Sequence, residues 1–416
     1  MFENIIGHAD TVAHLKNVIA RDQLPQAVLI SGNRYSGKLT LGLEIARSIT
    51  CAVDGAPWGC RCSACEQHRR LSHPQLLMMG HHSFEEELEA AKQAVLAQPG
   101  KATCYLYGRA VKKLLNRFHP VLWEGEEKRL SNAASSIESA AELVEEVLPQ
   151  SVDADIIDSV KLAKTIEALS KKTAAILAKT PRDLLHVESI RRMNFWVRMS
   201  SQSAAKVIIL EHVETLNDSQ RNLLLKILEE PPANVFFLLT TSKRTAILPT
   251  ILSRVRTVQL QPRTIEQEEE VLRRIFWHKE VRSDAVGGVR PLTAFFRSVV
   301  CSSMPELDSA ADRWAQHLMG LRVHTGSIPE EDMPGIASTT GADQRAAGVM
   351  LLRLIVEALR RRILEGLATS APDIAAVVRI RKVVADIDRA VHAVQELNIN
   401  AVQVLESLWF REDAAV

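Results

Sequence analysis

The chain has 416 residues, 46% of them hydrophobic, with a formal net charge of +1. That length allows more than one domain of ordinary size, and the near-neutral balance excludes a global positive field for nucleic acid, so any DNA contact must be local or made through partners. No apolar run approaches the roughly 20 residues of a membrane span, and Met1-Phe2-Glu3-Asn4 lacks the basic, apolar opening of a secretion signal, so the expectation is a cytoplasmic protein with no membrane partner.

Helical spacing at Val12, Leu15, Val18 and Ile19 predicts a first helix over 10–19. The apolar run Ala27-Val28-Leu29-Ile30 predicts a buried strand. It leads into Gly32-Asn33-Arg34-Tyr35-Ser36-Gly37-Lys38-Leu39 and then a helical pattern over 41–49. Gly32 and Gly37 suit a loop whose backbone N–H groups curl round a phosphate, and Lys38 suits its charge. A working loop of this kind places a hydroxyl next, to hold Mg²⁺. Leu39 has none, and Thr40 lies about 100° further round the helix. The loop therefore allows ATP or ADP to bind without hydrolysis, and no functional Mg²⁺ site is expected.

Cys51, Cys60, Cys62 and Cys65 follow. In a large chain without an export signal, clustered thiols point to a metal before disulfides. Four thiolates satisfy tetrahedral zinc and leave no open position, so the site would be structural. The step from Cys60 to Cys62 is one residue short of the usual spacing, which leaves free or partly oxidised thiols as the alternative. Cys104 and Cys301 stand alone and read as ordinary buried residues.

A short strand is predicted at 75–79. Residues 80–181 then change texture to Ala, Glu, Lys and Leu at helical spacing, which reads as an inserted helical subdomain. Within it Arg109, Lys112, Lys113 and Arg117 fall on one helix face, either a DNA-contacting stripe or a solvated one. Strand signals resume at 206–210, 235–239 and 255–260. Between them lies a helix that Asp218 would cap and Pro231-Pro232 would stop. Strands alternating with helices imply an α/β core with a parallel sheet. Beyond Pro262 the pattern is helical, with an amphipathic segment at 264–277, a linker-like stretch at 325–342, and long helices at 344–361 and 374–408.

The string Asn222-Leu223-Leu224-Leu225-Lys226-Ile227-Leu228-Glu229-Glu230-Pro231-Pro232, with Leu248-Pro249-Thr250-Ile251-Leu252-Ser253-Arg254, closely resembles the bacterial clamp-loader subunits of the AAA+ class. The opening Phe2-Glu3-Asn4-Ile5-Ile6-Gly7 and the cysteine cluster are similar to the same family. The resemblance covers 1–79 and about 184–262, and the C-terminal helices by architecture only. It implies a AAA+ P-loop core over 1–262, with a zinc module at about 51–65 and the insertion at about 80–181. A small helical lid over 263–324 and an all-α collar over 343–416 would follow.

Working members of that family carry an aspartate for Mg²⁺ and a glutamate for water after the strand at 206–210. Here those positions hold Glu211 and His212, and with Leu39 three residues of one constellation are changed. Thr240 and Thr241 stand where the family senses the γ-phosphate and read here as strand-end structure. Ser253-Arg254 matches the family's Ser-Arg-Cys motif, with Val255 in place of the cysteine. There the arginine enters the ATP site of the neighbouring subunit; otherwise Arg254 is a surface arginine.

The resemblance thus implies a catalytically silent member with no activity of its own. It would supply Arg254 in trans, assemble with gamma/tau-type and delta-type subunits, and reach the sliding clamp and primed DNA through the complex. An active gamma/tau-type ATPase and a different AAA+ adaptor are the competing readings.

Overall fold

The computed structural model describes residues 1–80, 84–148, 159–179, 185–199, 205–278, 290–301, 306–320, 328–334, 336, 341–369, 374–395 and 399–410. It divides into a unit over Met1–Val281 and a second over Arg282–Val416.

In the first unit, α1 (Ala9–Ala20) precedes β1 (Ala27–Ser31), α2 (Lys38–Thr50), α3 (Ser63–Arg69) and β2 (Leu76–Gly80). Next come α4 (Phe84–Ala97), α5 (Lys101–Leu115), α6 (Pro120–Trp123), α7 (Ala134–Val147), α8 (Ser159–Lys179) and α9 (Val187–Arg198). The chain returns to the sheet as β3 (Lys206–Glu211), α10 (Asp218–Glu229), β4 (Val235–Thr241), α11 (Pro249–Leu252) and β5 (Arg256–Gln259), then α12 (Ile265–Ile275).

All strand pairs are parallel, in the order β2-β3-β4-β1-β5. β1, β2 and β3 are buried along their whole length, which is why they read as unbroken apolar runs rather than alternating ones. Side chains still alternate between faces. Leu29, Leu77, Ile208, Leu210 and Phe237 enter one core, while Val28, Ile30, Met78, Ile209 and Leu238 enter another with Leu15, Leu41 and Ile45 of α1 and α2.

The first of these cores explains residues 80–181. Leu88, Val95, Tyr107, Val111, Val144, Ile166 and Leu169 belong to the same cluster as the strands. The described helices of this stretch therefore help to cover one apolar face of the sheet, together with α9, α10 and α11.

Some local boundaries differ from the sequence reading. Asn217, not Asp218, caps α10: its Oδ1 accepts from Gln220 N at 3.0 Å, and Gln220 Oε1 accepts from Asn217 N at 2.9 Å. Asp218 is already in the first turn, where a carboxylate favours the helix dipole but cannot cap. Just before β4, Pro232 O accepts from Gln26 Nε2 at 2.6 Å, tying the stop after α10 to the start of β1.

The second unit contains α13 (Pro291–Cys301), α14 (Glu306–Leu318), α15 (Gly341–Thr369), α16 (Ile374–Gln395) and α17 (Ala401–Trp409). Trp314 of α14, Leu351, Leu352, Ile355 and Leu359 of α15, Ile387 of α16 and Leu405 of α17 form one core. The stretch 374–408 is thus two helices, α17 restarting where Asn400 Oδ1 accepts from Val402 N at 2.8 Å. Residues 325–342 are not a free linker throughout. Asp332 is buried, its carbonyl accepts from Trp314 Nε1 at 2.7 Å, and Ile336 is buried in the same core. The side chain of Cys301 lies outside the described residues, whereas Cys104 is buried as its setting suggested.

Candidate functional site: a phosphate-type loop and a four-cysteine cluster

β1 lies between β4 and β5, so the loop leaving its carboxyl end is held from both sides. Gly32 N donates to Thr241 O at 3.2 Å, and Leu260 N to Ser31 O at 2.7 Å. A side chain at Gly32 would put its Cβ 2.7 Å from Ser36 Oγ and 3.0 Å from the Cβ of Leu260. Gly37 has φ +87°, in the left-handed region that favours glycine. A Cβ there would lie 2.8 Å from Arg263 Nη2. Arg263 spans the loop, donating to Tyr35 O at 2.6 Å and to Ile6 O at 3.0 Å. His8 Nε2 lies 3.0 Å from Ser36 O. The loop has the expected shape and is fastened from outside.

Its charges are turned inward. Lys38 Nζ donates to Gly32 O and Asn33 O, both at 2.8 Å. Burial pulls the Lys38 ammonium down to about 8, against the opposing pull of Glu214 and Glu211. Leu39 is buried in the apolar core beside Ile30 and Leu41, and Thr40 is exposed. Neither offers a hydroxyl to the loop.

Glu211, at the carboxyl end of β3, is buried and ion-paired with Arg117. His212 has a left-handed backbone, and its Nδ1 is 3.1 Å from Glu214 Oε1. Glu214 also accepts from Ser242 N at 3.0 Å. Burial raises the Glu214 carboxyl, but the His212 contact and the Ser242 N–H outweigh it and hold the group at about 2. Thr240 Oγ1 accepts from His212 N at 3.3 Å, and Thr241 Oγ1 from Lys243 N at 3.1 Å.

Three participants were not legible as such in the sequence. Glu214 reaches the site only because the backbone turns at His212. Arg263 follows β5, far away in the chain. Glu86 of α4 accepts from Arg34 at 2.5 Å and from Tyr35 Oη at 2.9 Å. No spacing signal marks any of them.

The basic stripe is corrected by the same geometry. Arg109 donates to His68 O at 3.1 Å and Arg69 O at 2.5 Å. Lys112 pairs with Glu145, Lys113 with Glu87 and Arg117 with Glu211. Arg117 is buried, so the stripe is neither a DNA-contacting face nor a solvated one. Helical spacing set these residues on one side, but the neighbouring helices supplied acids to meet them.

At the other end of α2 the four cysteines converge. Their sulfurs all lie within 4.8 Å of one another, with Cys51 Sγ 3.7 Å from Cys60 Sγ and 3.9 Å from Cys62 Sγ. Tetrahedral zinc with Zn–S bonds of about 2.3 Å requires S···S edges of about 3.8 Å. The short step between Cys60 and Cys62 therefore does present both sulfurs to one point, and the cluster could hold a metal ion and is compatible with zinc. Val53 N donates to Cys51 Sγ at 3.4 Å, Cys62 N to Cys60 Sγ at 3.5 Å, and Arg47 Nη1 to Cys65 Sγ at 3.0 Å. Such donors favour thiolate over thiol. Burial pushes the Cys62 thiol up, yet N–H groups of Cys65 and Ala52 hold it down to about 6.

Arg254 stands elsewhere. It donates to Thr250 O and to Glu229 Oε1, each at 2.7 Å, and remains partly exposed. β5 pairs Arg256 with Val28 and Gln259 with Ser31. Arg254 precedes β5, beside the start of β1, whereas Gly32 follows the end of β1; the five residues of that strand at about 3.3 Å each put roughly 16 Å between the two ends. Arg254 is at the amino end of the sheet and the loop is at the carboxyl end.

A family model described as DNA polymerase III, delta subunit matches residues 7–106 and 113–264. The matched ranges include most of 80–181. A Yersinia pestis protein named DNA polymerase III subunit delta' is 46% identical over 55 residues, 13% of this chain and 16% of that one. The protein of that name from Escherichia coli (strain K12) is 35% identical over 85 residues, 20% of this chain and 25% of its own. A Mycoplasma pneumoniae protein named only as an uncharacterized MG007 homolog is 39% identical over 67 residues, 16% of this chain and 26% of that one. The chain thus matches no more than about a quarter of the length of these relatives. A crystal structure of a gamma subunit-related protein from Thermotoga maritima aligns over 96% of this chain and 97% of its own. Its TM-score is 0.39 at 14% identity, too slight a likeness to fix fold or function.

Proposed function

The chain belongs to the DNA polymerase III delta-subunit family, and we propose that within it this protein is a delta-prime-type clamp-loader subunit that takes part in DNA replication as a catalytically silent stator. It would supply Arg254 to the ATP site of a neighbouring subunit while its own loop runs no reaction. The observation that carries this reading is the separation of the two features across the sheet. Arg254 stands at the other end of β1 from its own phosphate-type loop, roughly 16 Å of strand away, while that loop has Leu39 in place of a hydroxyl, Lys38 on its own carbonyls and Glu211 on Arg117.

A guanidinium facing a neighbour's γ-phosphate stabilises the charge that spreads over the transferring group, a contribution of about 10³–10⁵ in rate in comparable systems. The short helix α11 positions it. Pro249 starts that helix with a preset φ, and the turn ends at Ser253, so the arginine projects from a rigid corner. The pair with Glu229 is a surface one and weak, so a phosphate anion can take its place. Helices over 343–416 would serve as the collar that holds the gamma/tau-type and delta-type subunits, through which the assembly reaches the sliding clamp and primed DNA. Zinc on Cys51, Cys60, Cys62 and Cys65 would fix the end of α2. ATP or ADP in the chain's own loop is not required by this role.

The test is reconstitution with the motor and clamp-opening subunits. Arg254→Ala is expected to leave assembly intact and to lower ATP hydrolysis by the complex about 10³-fold at the neighbouring site. Lys38→Ala is expected to change it little. Hydrolysis unaltered by Arg254→Ala would remove the trans role. Steady phosphate release by the purified chain alone would replace this reading with an active ATPase.

A further inference from the structure

The buried pair between Arg117 and Glu211 is larger in consequence than its role in packing. Glu211 occupies the carboxyl end of β3, where P-loop enzymes keep the acid that holds Mg²⁺. In this chain the carboxylate is buried and a guanidinium already rests on it. Arg117 arrives from the turn after α5, Asn116–Phe118, anchored where its carbonyl accepts from Trp123 Nε1 at 2.7 Å. The ring of Phe84 lies 5.6 Å from the guanidinium carbon. Arg117 Nε and Nη1 are buried without a hydrogen-bond partner among the described residues. Burying a cation with donors unspent is costly, and apolar replacements of such pairs are often as stable or more so. Packing alone therefore gives no reason for Arg117, whereas a buried carboxylate at this position does, because it demands a cation.

We propose that Arg117 is the resident cation of Glu211, a fixed guanidinium that occupies the place of a divalent metal ion and bars one from the phosphate-type loop. The helices over the sheet thereby reach into the site at two points, Arg117 on Glu211 and Glu86 on Arg34 and Tyr35. A guanidinium stays protonated across the whole working range, so unlike a bound ion it neither dissociates nor depends on metal supply. This inference rests on the reading of the loop as silent. It is tested by metal at Glu211 rather than by hydrolysis in a neighbour, so each can fail without the other.

The experiment is thermal unfolding of the full chain, without chelator so that any metal on the four cysteines stays in place, with no added metal and in roughly 10 mM Mn²⁺. Wild type is expected to melt at the same temperature in both. Arg117→Met should melt about 10 °C lower without added metal and recover about 5 °C in Mn²⁺, as linkage requires of an ion that binds only the folded state. Arg117→Met combined with Glu211→Gln should regain stability without added metal and lose the response to Mn²⁺. An Arg117→Met protein indifferent to Mn²⁺ would overturn the proposal. So would a rise in wild type that Glu211→Gln abolishes. Should Arg117→Met fail to fold, Mn²⁺ binding to wild type by electron paramagnetic resonance, with and without ATP, still decides. Free Mn²⁺ signal unchanged by the protein supports a filled site, and a bound ion lost in Glu211→Gln refutes it.

Discussion

The two ends of α2 began from the same kind of problem and solved it oppositely. At its amino end, Gly32 to Lys38 builds a loop shaped for an anion. The chain then satisfies that loop's charges itself, with Lys38 on loop carbonyls, Arg263 across the backbone and Arg117 on Glu211. At its carboxyl end, four sulfurs converge to metal-binding distances, and the surrounding N–H groups favour the thiolate form rather than cancel it. One site meets its charges with the chain's own side chains, and the other brings together four thiols that could hold a metal ion. The lesson is that a motif's backbone and its chemistry are specified separately, since loop shape depends on glycines and strand order while chemistry depends on a few side-chain charges.

The comparison can be broken most severely at the sulfur end. One zinc per chain is expected by metal analysis. Cys65→Ser should lose it together with much of the stability of the first unit, because structural zinc contributes about 10–16 kcal/mol to folding in isolated peptides. Four thiols freely titratable in the native protein would contradict this.

At the loop end a smaller effect is expected. Gly32→Ala forces a Cβ against Ser36 and Leu260 and should destabilise by about 1–3 kcal/mol, the usual range for overpacking, measured by urea unfolding. Stability unchanged by this substitution would mean that the loop is not held as tightly as its contacts imply.

The smallest effect is a slope with pH. The folded pKa of Lys38 lies at about 8, below its ordinary value of 10.5, chiefly through burial. Between those values the unfolded chain binds the extra proton, so stability rises with pH across about 8 to 10.5 and is flat for this group below 8. The stability of wild type minus that of Lys38→Met should follow that curve. A difference that stays level to pH 10.5 would show Lys38 to be less buried than its contacts indicate. A separate slope is expected at acid pH from Glu214. Its folded pKa of about 2 lies below the usual carboxylate range, so its contribution is present above the unfolded value and lost as pH falls towards 2.

Much of the architecture was legible. Runs such as Val207-Ile208-Ile209-Leu210 read as buried strands, and the loop after Ile30 was marked by its glycines. The capping residue of α10 was missed by one position, because Asn217 and Asp218 are both good caps and only the reach to Gln220 separates them. The helices over 80–181 were recognised by spacing, but their partner was not. An amphipathic helix announces that it has an apolar face, not which surface will cover it. The basic stripe failed for the same reason, since pairing acids such as Glu87 and Glu145 come from other helices.

Local chemistry therefore determined what this chain could build: parallel strands, a phosphate-type loop without a hydroxyl at Leu39, a set of four thiols and an arginine after a short proline-led helix. Only the tertiary structure decided what those parts face. Strand order put Arg254 and the loop at opposite ends of one sheet, and the close approach of the helices over that sheet set Arg117 on Glu211. The reason is physical. Backbone conformation and burial follow from nearby residues, but the cost of a buried charge is settled by whichever residue, however distant in the chain, comes to rest beside it.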